Sequence, residues 1–280
     1  MIVVTGATGN VGRPLVESLA RSGHAVTAVS RGVTAPPPAL AGVTSVTADL
    51  ADAASLTSAL TGAKALYLLV SGAGAHVDGP AVLRRAAEAG VERVVLQSSQ
   101  AAGTRPDAVS HAPLAALEQQ VRASGMAWTI LRPGGFTTNT FAWLPSIRGQ
   151  RSVFAPYADV ALPAVDPLDI ADVAAAALTG DLHAGRTYTL TGPAATSPRR
   201  RAEILGDALG ETLAFVELEH DQAREQLLQV MPEPVADCTL AILGRPTPDE
   251  RRVSPDIETV LGRPATSFAT WARRNIEAFR

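Results

Sequence analysis

Three glycines, Gly6, Gly9 and Gly12, punctuate the run GATGNVG between an apolar stretch, MIVVT, and an amphipathic one, GRPLVESLARSG. The residue types and the spacing suit the binding of a pyrophosphate. In a strand–turn–helix of this kind the first glycine permits a tight turn. The second lets backbone N–H groups approach the phosphates, and the third lets helix pack closely on strand. The helix N-terminus adds about half a positive charge toward the ligand. Gly6, Thr8, Gly9, Asn10, Val11 and Gly12 are therefore the expected first contacts with a dinucleotide.

The next apolar stretch, HAVTAVS, ends in Ser30 and Arg31. A site selective for NAD would place Asp or Glu near this point to hold the ribose 2′-hydroxyl. A hydroxyl and a guanidinium suit a 2′-phosphate instead, because Arg makes paired, charge-assisted bonds to phosphate. The expectation is NADP(H), set against the plainer reading of Arg31 as a surface turn residue. Asp49 and Leu50, closing VTSVTADL, are expected beside the adenine; the competing reading of Asp49 is a helix cap. Val70 and Ser71 follow the apolar run ALYLL, and Gln97 and Ser98 follow VERVVL. These four complete the expected cofactor edge.

The elements that must position these residues alternate strictly. Six short apolar runs, at MIVVT, HAVTAVS, VTSVTAD, ALYLLVSG, VERVVLQSS and AWTILRPGG, read as strands. Helical patterns such as ADAASLTSALTG, GPAVLRRAAEAG and APLAALEQQVRASG lie between them. Strands that are apolar almost throughout belong in a parallel sheet covered on both faces. The fold class is therefore α/β, a doubly wound parallel sheet of the Rossmann type. After about residue 134 the pattern changes to DPLDIADVAAAALTG, GRTYTLTG, SPRRRAEILGDALG, TLAFVELE and a closing amphipathic helix carrying Phe268, Trp271 and Ile276. These pieces predict a small C-terminal α/β substrate region over the carboxyl edge of the sheet. The expected division is 1–133 for the dinucleotide-binding domain and 134–280 for the smaller region, interlaced with the first.

Composition narrows the function classes. Of 280 residues, 46% are hydrophobic and 18% charged, enough for a substantial core, and the net charge of −3 argues against a general nucleic-acid binder. Arg199, Arg200 and Arg201 form a compact basic run, expected as a solvated helix face, with a phosphate contact as the alternative. No apolar run is long enough to span a bilayer. The N-terminal stretch is too short for a signal peptide, and the lone Cys238 has no partner for a disulfide. A cytoplasmic setting is expected. The histidines lack metal-ligand spacing and no nucleophile-elbow pattern occurs, so neither a metal site nor a serine hydrolase is expected.

The assembled motifs resemble the atypical short-chain dehydrogenase/reductases, the NmrA-like group above all. The resemblance rests on VTGATGNVG, VSRG, TADLAD and VVLQSS, and more specifically on SGMAWTILRPGGFTTN, AVDPLDIADVAAAAL, YTLTGP and VLGRPATSFATWARRNIEAF. It implies that the segment after Arg132 leads into the nicotinamide and substrate pocket. Pro133 and Gly134 would then lie on the cofactor, and Gly135, Phe136 and Asn139 on the substrate; Phe136 in the core is the competing reading.

One departure from the resemblance selects the chemistry. Active short-chain reductases of the ordinary kind carry Tyr-x-x-x-Lys on the helix after the fifth strand. Matching Glu118 and the following SG puts Ser110 and Leu114 at those two positions. Lys64 is the only lysine in the chain and precedes the fourth strand. Hydride addition to a ketone makes an alkoxide, whose conjugate acid has a pKa near that of water, about 16. Addition to a quinone makes a phenolate, with a conjugate acid near 10. The difference of roughly 6 units is about 8 kcal/mol of proton donation no longer required.

The expected function is an NADPH-dependent oxidoreductase acting on a quinone-like or conjugated aromatic small molecule. Among GC-rich bacterial members this resembles the tailoring of aromatic polyketides by reduction or coupling. The alternative is an NADP(H)-binding redox sensor of the NmrA type. His111, Ser98, Ser99 and Tyr157 are the candidate proton donors, each with a structural reading beside it. Pairing of two APLAALEQQV helices would give a homodimer.

Overall fold

The computed structural model describes residues 1–32, 40–70 and 74–280. The chain begins β1 Ile2–Thr5, α1 Gly12–Arg21, β2 Val26–Ser30, β3 Val43–Thr47, α2 Thr57–Leu60, β4 Ala65–Leu69 and α3 Gly79–Glu88. It continues with β5 Arg93–Gln97, α4 Gln100–Thr104, α5 Ala112–Arg122, β6 Ala127–Pro133, α6 Leu144–Gln150 and β7 Ser152–Pro156. Next come α7 Pro167–Thr179, β8 Arg186–Leu190, α8 Pro198–Leu209, β9 Ala214–Leu218, α9 His220–Leu228 and α10 Glu233–Gly244. The chain closes with α11 Pro248–Arg251, α12 Asp256–Leu261 and α13 Phe268–Asn275.

Two compact units result. Unit 1 comprises Met1–Asp107, His111–Pro133 and Pro167–Thr189, and unit 2 comprises Ala108–Ser110, Gly134–Asp166 and Leu190–Arg280. Unit 1 is built on a sheet of order β3-β2-β1-β4-β5-β6-β8. Its ladders are parallel, with Ile2 opposite both Val26 and Ala65, and Ala65 opposite Arg93. The strand order reverses between β1 and β4, and the carboxyl ends of β1 to β6 lie along one edge. Ligands of open α/β sheets bind in the crevice at such a switch point.

The inner strands read as continuous apolar runs because both their faces are covered. Val3, Val4, Leu66, Leu68, Val94 and Leu96 are fully buried. One face packs against Leu60, Val82, Leu83, Leu117 and Val121 from α2, α3 and α5. On the opposite side α1 packs against α7, which buries Ile170, Ala171, Val173, Ala174, Ala177 and Leu178. Each large side chain so buried contributes about 1.5–3 kcal/mol. The α7 helix and all of β8 but Leu190 thus belong to unit 1, not to the C-terminal region where their place in the chain had put them. An almost wholly apolar helix needs a sheet to cover.

Unit 2 holds a parallel two-stranded sheet, with Val153 of β7 opposite Phe215 of β9. The strand β7 escapes a reading by periodicity because SVFAP is short and ends in proline. The core of unit 2 centres on Trp271, with the rings of Phe141, Phe268 and Phe279 at 5.2, 5.4 and 6.2 Å. Arg274 clamps the buried Asp166 at 2.6 Å.

The basic run at the start of α8 is not a uniform solvated face. Arg199, half-buried, and Arg200, exposed, pair with Asp159 and Glu203. Arg201 turns inward, donates to the Leu162 carbonyl and the Thr196 hydroxyl, and lies 5.6 Å from the Phe268 ring centroid. Burial lowers its pKa to about 10. Among the described residues no helix is long and apolar enough to cross a membrane.

Candidate functional site

The glycine turn has the geometry that a dinucleotide needs. Gly6 adopts φ +64°, a left-handed conformation that glycine reaches without a Cβ penalty. Its carbonyl accepts from the Gly9 N–H at 3.0 Å, and the Ala7 N–H donates to Val29 at 3.1 Å. A Cβ on Gly12 would stand 2.1 Å from the Gly6 carbonyl oxygen, so helix and strand touch backbone to backbone. The α1 helix starts at Gly12 with no side-chain cap on its N-terminal N–H groups. Gly9 and Asn10 are exposed and Thr8 is half-buried at this opening. Val11 points into the core at 2% exposure, leaving only its backbone for a ligand. These features fit a pyrophosphate: the cradle is one that a Cβ would fill, and the N–H groups are uncapped.

The neighbouring strand ends supply the rest of the edge. The Ser30 hydroxyl donates to the Gly32 carbonyl at 2.9 Å and so shapes the turn. Arg31 beside it is exposed and has no ion pair or hydrogen bond among the described residues. Asp49 accepts from the Ala51 N–H through Oδ1 at 3.0 Å, an Asx turn, while Asp52 is the residue that caps the helical turn after it. Leu50 packs against the core beside Val46 and Ala53. Val70 is buried at the end of β4, and Ser71 lies outside the described residues. Gln97 accepts a short hydrogen bond from Tyr67, whose phenol burial pushes far above its ordinary pKa. That phenol is locked in its neutral form inside the sheet.

Behind β5 and β6 lies a buried polar cluster that the sequence motifs did not reveal. Glu118 of α5, 1% exposed, accepts from Arg132 twice, at 2.9 and 2.6 Å, from Arg122 at 3.1 Å and from the Ser98 hydroxyl at 2.7 Å. Burial raises the carboxyl pKa, but the bonds from Arg132 and Ser98 outweigh it and hold Glu118 below the usual range. Gly103 leaves the space for the guanidinium: a Cβ there would stand 2.3 Å from Arg132 Nη1. The Ser98 proton is thus engaged by Glu118, and Ser99 accepts from the Ala101 N–H as the cap of α4. His111 stands half-buried at the N-cap of α5, with no side-chain cap bond. Ser110 and Leu114, at the positions matched to the missing dyad, are 5% and 6% exposed. Pro133 closes β6 and is buried.

In unit 2 the Gly134 N–H donates to Leu190 at 2.9 Å, and the Gly135 carbonyl accepts from the Val165 N–H at 2.9 Å. Phe136 is half-buried and bridges to Val165, and Asn139 is exposed. The hydroxyl of Thr137, which follows Phe136, is buried and has no hydrogen-bond partner among the described residues. Tyr157 sits at φ +53°, a conformation that costs a bulky residue of order 1–3 kcal/mol. Its ring lies against Gly244, where a Cβ would meet ring carbons at 2.6 Å, and its hydroxyl is 2.7 Å from His220 Nδ1. His220, which sequence spacing left without a role, becomes its partner only through the fold.

Comparison with known proteins bears on what this architecture is. The profile of the NAD(P)H-binding family matches residues 6–181, from the first glycine of the turn to the end of α7 and just beyond. The chain belongs to the NAD(P)H-binding family. It is an NAD(P)-dependent oxidoreductase. It is 39% identical, over 100% of this chain and 99% of the other, to the (4-alkanoyl-5-oxo-2,5-dihydrofuran-3-yl)methyl phosphate reductase of Streptomyces griseus. It is 34% identical to the NAD(P)H azoreductase of Xenophilus azovorans, over 71% of this chain and 70% of that protein. Its fold matches the Escherichia coli NADPH-dependent quinone oxidoreductase in complex with NADPH. There the TM-score is 0.80 and the identity 27%, over 98% of this chain and 99% of the other. The family assignment and the cradle geometry agree on a dinucleotide cofactor.

Proposed function

We propose that this NAD(P)H-binding protein is an NADPH-dependent reductase of conjugated acceptors, such as quinones and electron-poor enones. A tailoring step on an aromatic polyketide is the finer form of the same reading. When bound, the reduced nicotinamide supplies the hydride. The uncapped N-terminus of α1 and the turn from Gly6 to Gly12 hold the pyrophosphate. Arg31, exposed and unpaired among the described residues, takes the 2′-phosphate, with Ser30 fixing the turn that carries it.

The observation that carries the reading is an intact cradle beside a helix with no acid–base pair. The dyad positions hold Ser110 and Leu114, both buried, and the Ser98 proton is committed to Glu118. A residue set without a strong, charge-assisted donor suits an acceptor whose reduced form is already a stable anion. His111, at the start of α5, is the donor assigned to finish such a reaction, since an imidazole suffices to protonate a phenolate-like oxygen near neutral pH. The reductases of a dihydrofuranone, an azo compound and a quinone named above support this reading, since each named substrate is unsaturated.

The test is NADPH consumption with a panel of quinones and enones. Turnover of at least one class is expected. Tight NADPH binding with no turnover on any member of the panel would overturn the reading and favour a cofactor sensor.

A further inference from the structure

Unit 2 contains a cavity of its own, about 330 Å³, lined by Tyr157, His220, Asp237, Leu240, Ala241, Gly244 and Arg245. The space is ample for a one- or two-ring molecule. Its walls divide by chemistry: Leu240 and Ala241 of α10 are apolar, while Tyr157, His220, Asp237 and Arg245 are polar. The Tyr157 hydroxyl and His220 Nδ1 are 2.7 Å apart. Asp237 faces the same space, and Arg224, bonded to it at 2.7 Å, holds its carboxyl below the usual range; His220 contributes in the same direction. Phenol, imidazole and carboxylate therefore line the same space. Two backbone features hold the phenol there, namely the left-handed conformation of Tyr157 and the side-chain-free surface of Gly244 under its ring.

From this geometry we infer that the unit 2 cavity is a binding site for a planar, oxygen-bearing aromatic ligand of the phenol or enol class. The ring lies over Ala241, at the mouth of the space that Leu240 backs. The ligand oxygen shares hydrogen bonds with the Tyr157 hydroxyl and its partner His220. The inference rests on unit 2 alone and does not need the cofactor reading of unit 1.

The probe is 4-nitrophenol, whose absorbance reports whether it is bound as phenol or phenolate. It is titrated into the full-length protein without nucleotide, and His220 ring resonances are followed in parallel. Saturable binding is expected, with a change in the phenol–phenolate absorbance and a moved His220 signal. Tyr157→Phe keeps the ring against Gly244 and should weaken binding by about 10-fold or more and abolish the absorbance change. Ala241→Trp fills the cavity and should abolish binding. Circular dichroism and thermal melts report that both variants are folded. Absence of saturable binding to the wild type overturns the inference. So does binding that survives both substitutions unchanged, since it would lie elsewhere.

Discussion

The carboxylate of Glu118 holds the guanidinium of Arg132 through two hydrogen bonds, of 2.9 and 2.6 Å, at the carboxyl end of β6. The pair joins α5 to the last residues of β6 just before the chain leaves unit 1 at Pro133. Because Glu118 also accepts from Ser98 and Arg122, one buried anion ties together α5 and the ends of β5 and β6.

Glu118→Gln should be strongly destabilising. It leaves a part-buried guanidinium without its counter-charge, a change that typically costs about 3–5 kcal/mol. Urea denaturation should show the midpoint falling by a corresponding amount. A loss within about 0.5 kcal/mol would mean that the pair does not organise this edge.

The same carboxylate makes stability depend on acid. Its pKa in the folded protein lies below that of the unfolded chain, near 4.3 for glutamate. The contribution is therefore fully present above that pH and lost as the pH falls through the folded-state value. Thermal melts from pH 7 down to pH 3 should steepen at the acid end for the wild type. In Glu118→Gln that acid limb should be shallower.

Arg31→Ala should discriminate between the nucleotides. Loss of charge-assisted bonds to a 2′-phosphate is worth about 1.5–3 kcal/mol, roughly a 10- to 150-fold weaker Kd for NADPH. NADH has no such phosphate, and its affinity should be unchanged. Fluorescence titration of both nucleotides against both proteins checks this, and equal effects on NADH and NADPH would remove Arg31 from the site.

Gly12→Ala should fail where Gly149→Ala succeeds. The new Cβ at position 12 would meet the Gly6 carbonyl oxygen at 2.1 Å, so α1 must shift away from β1. A cost of about 1–3 kcal/mol and a large loss of nucleotide affinity are expected. Gly149 lies in α6 with nothing within 4 Å of its Cβ position, and there alanine should be neutral or stabilise by up to about 1 kcal/mol. Thermal melts of the two variants with and without NADPH separate these outcomes.

The cofactor cradle was legible because its physics is local. Gly6, Gly9 and Gly12 act within one turn, and the buried strands declare themselves by unbroken apolar runs. The membership of α7 and β8 in unit 1 was not legible in chain order, because a helix finds its sheet through an apolar face that any large core could cover. Tyr157 was singled out by its chemistry alone. Its partner His220 lies 63 residues further on, and no spacing rule links them before β7 and β9 pair. The same holds for Glu118, whose role depends on Arg132 and Ser98 arriving from two different strands. Short-range motifs thus pointed to the ligand, while the partners of Ser98 and Tyr157 came from long-range contacts.

The most direct measurement compares two acceptors of similar shape, 1,4-naphthoquinone and the unconjugated-product ketone 1-tetralone, at equal NADPH and enzyme concentrations. Without a Tyr–Lys dyad, only the acceptor that yields a phenolate-like anion should react. NADPH oxidation with the quinone and a rate with the ketone at least about 1,000-fold lower is the expected result, a fraction of the roughly 8 kcal/mol separating the two anions. Comparable kcat/KM on both acceptors, or reduction of the ketone alone, would contradict it.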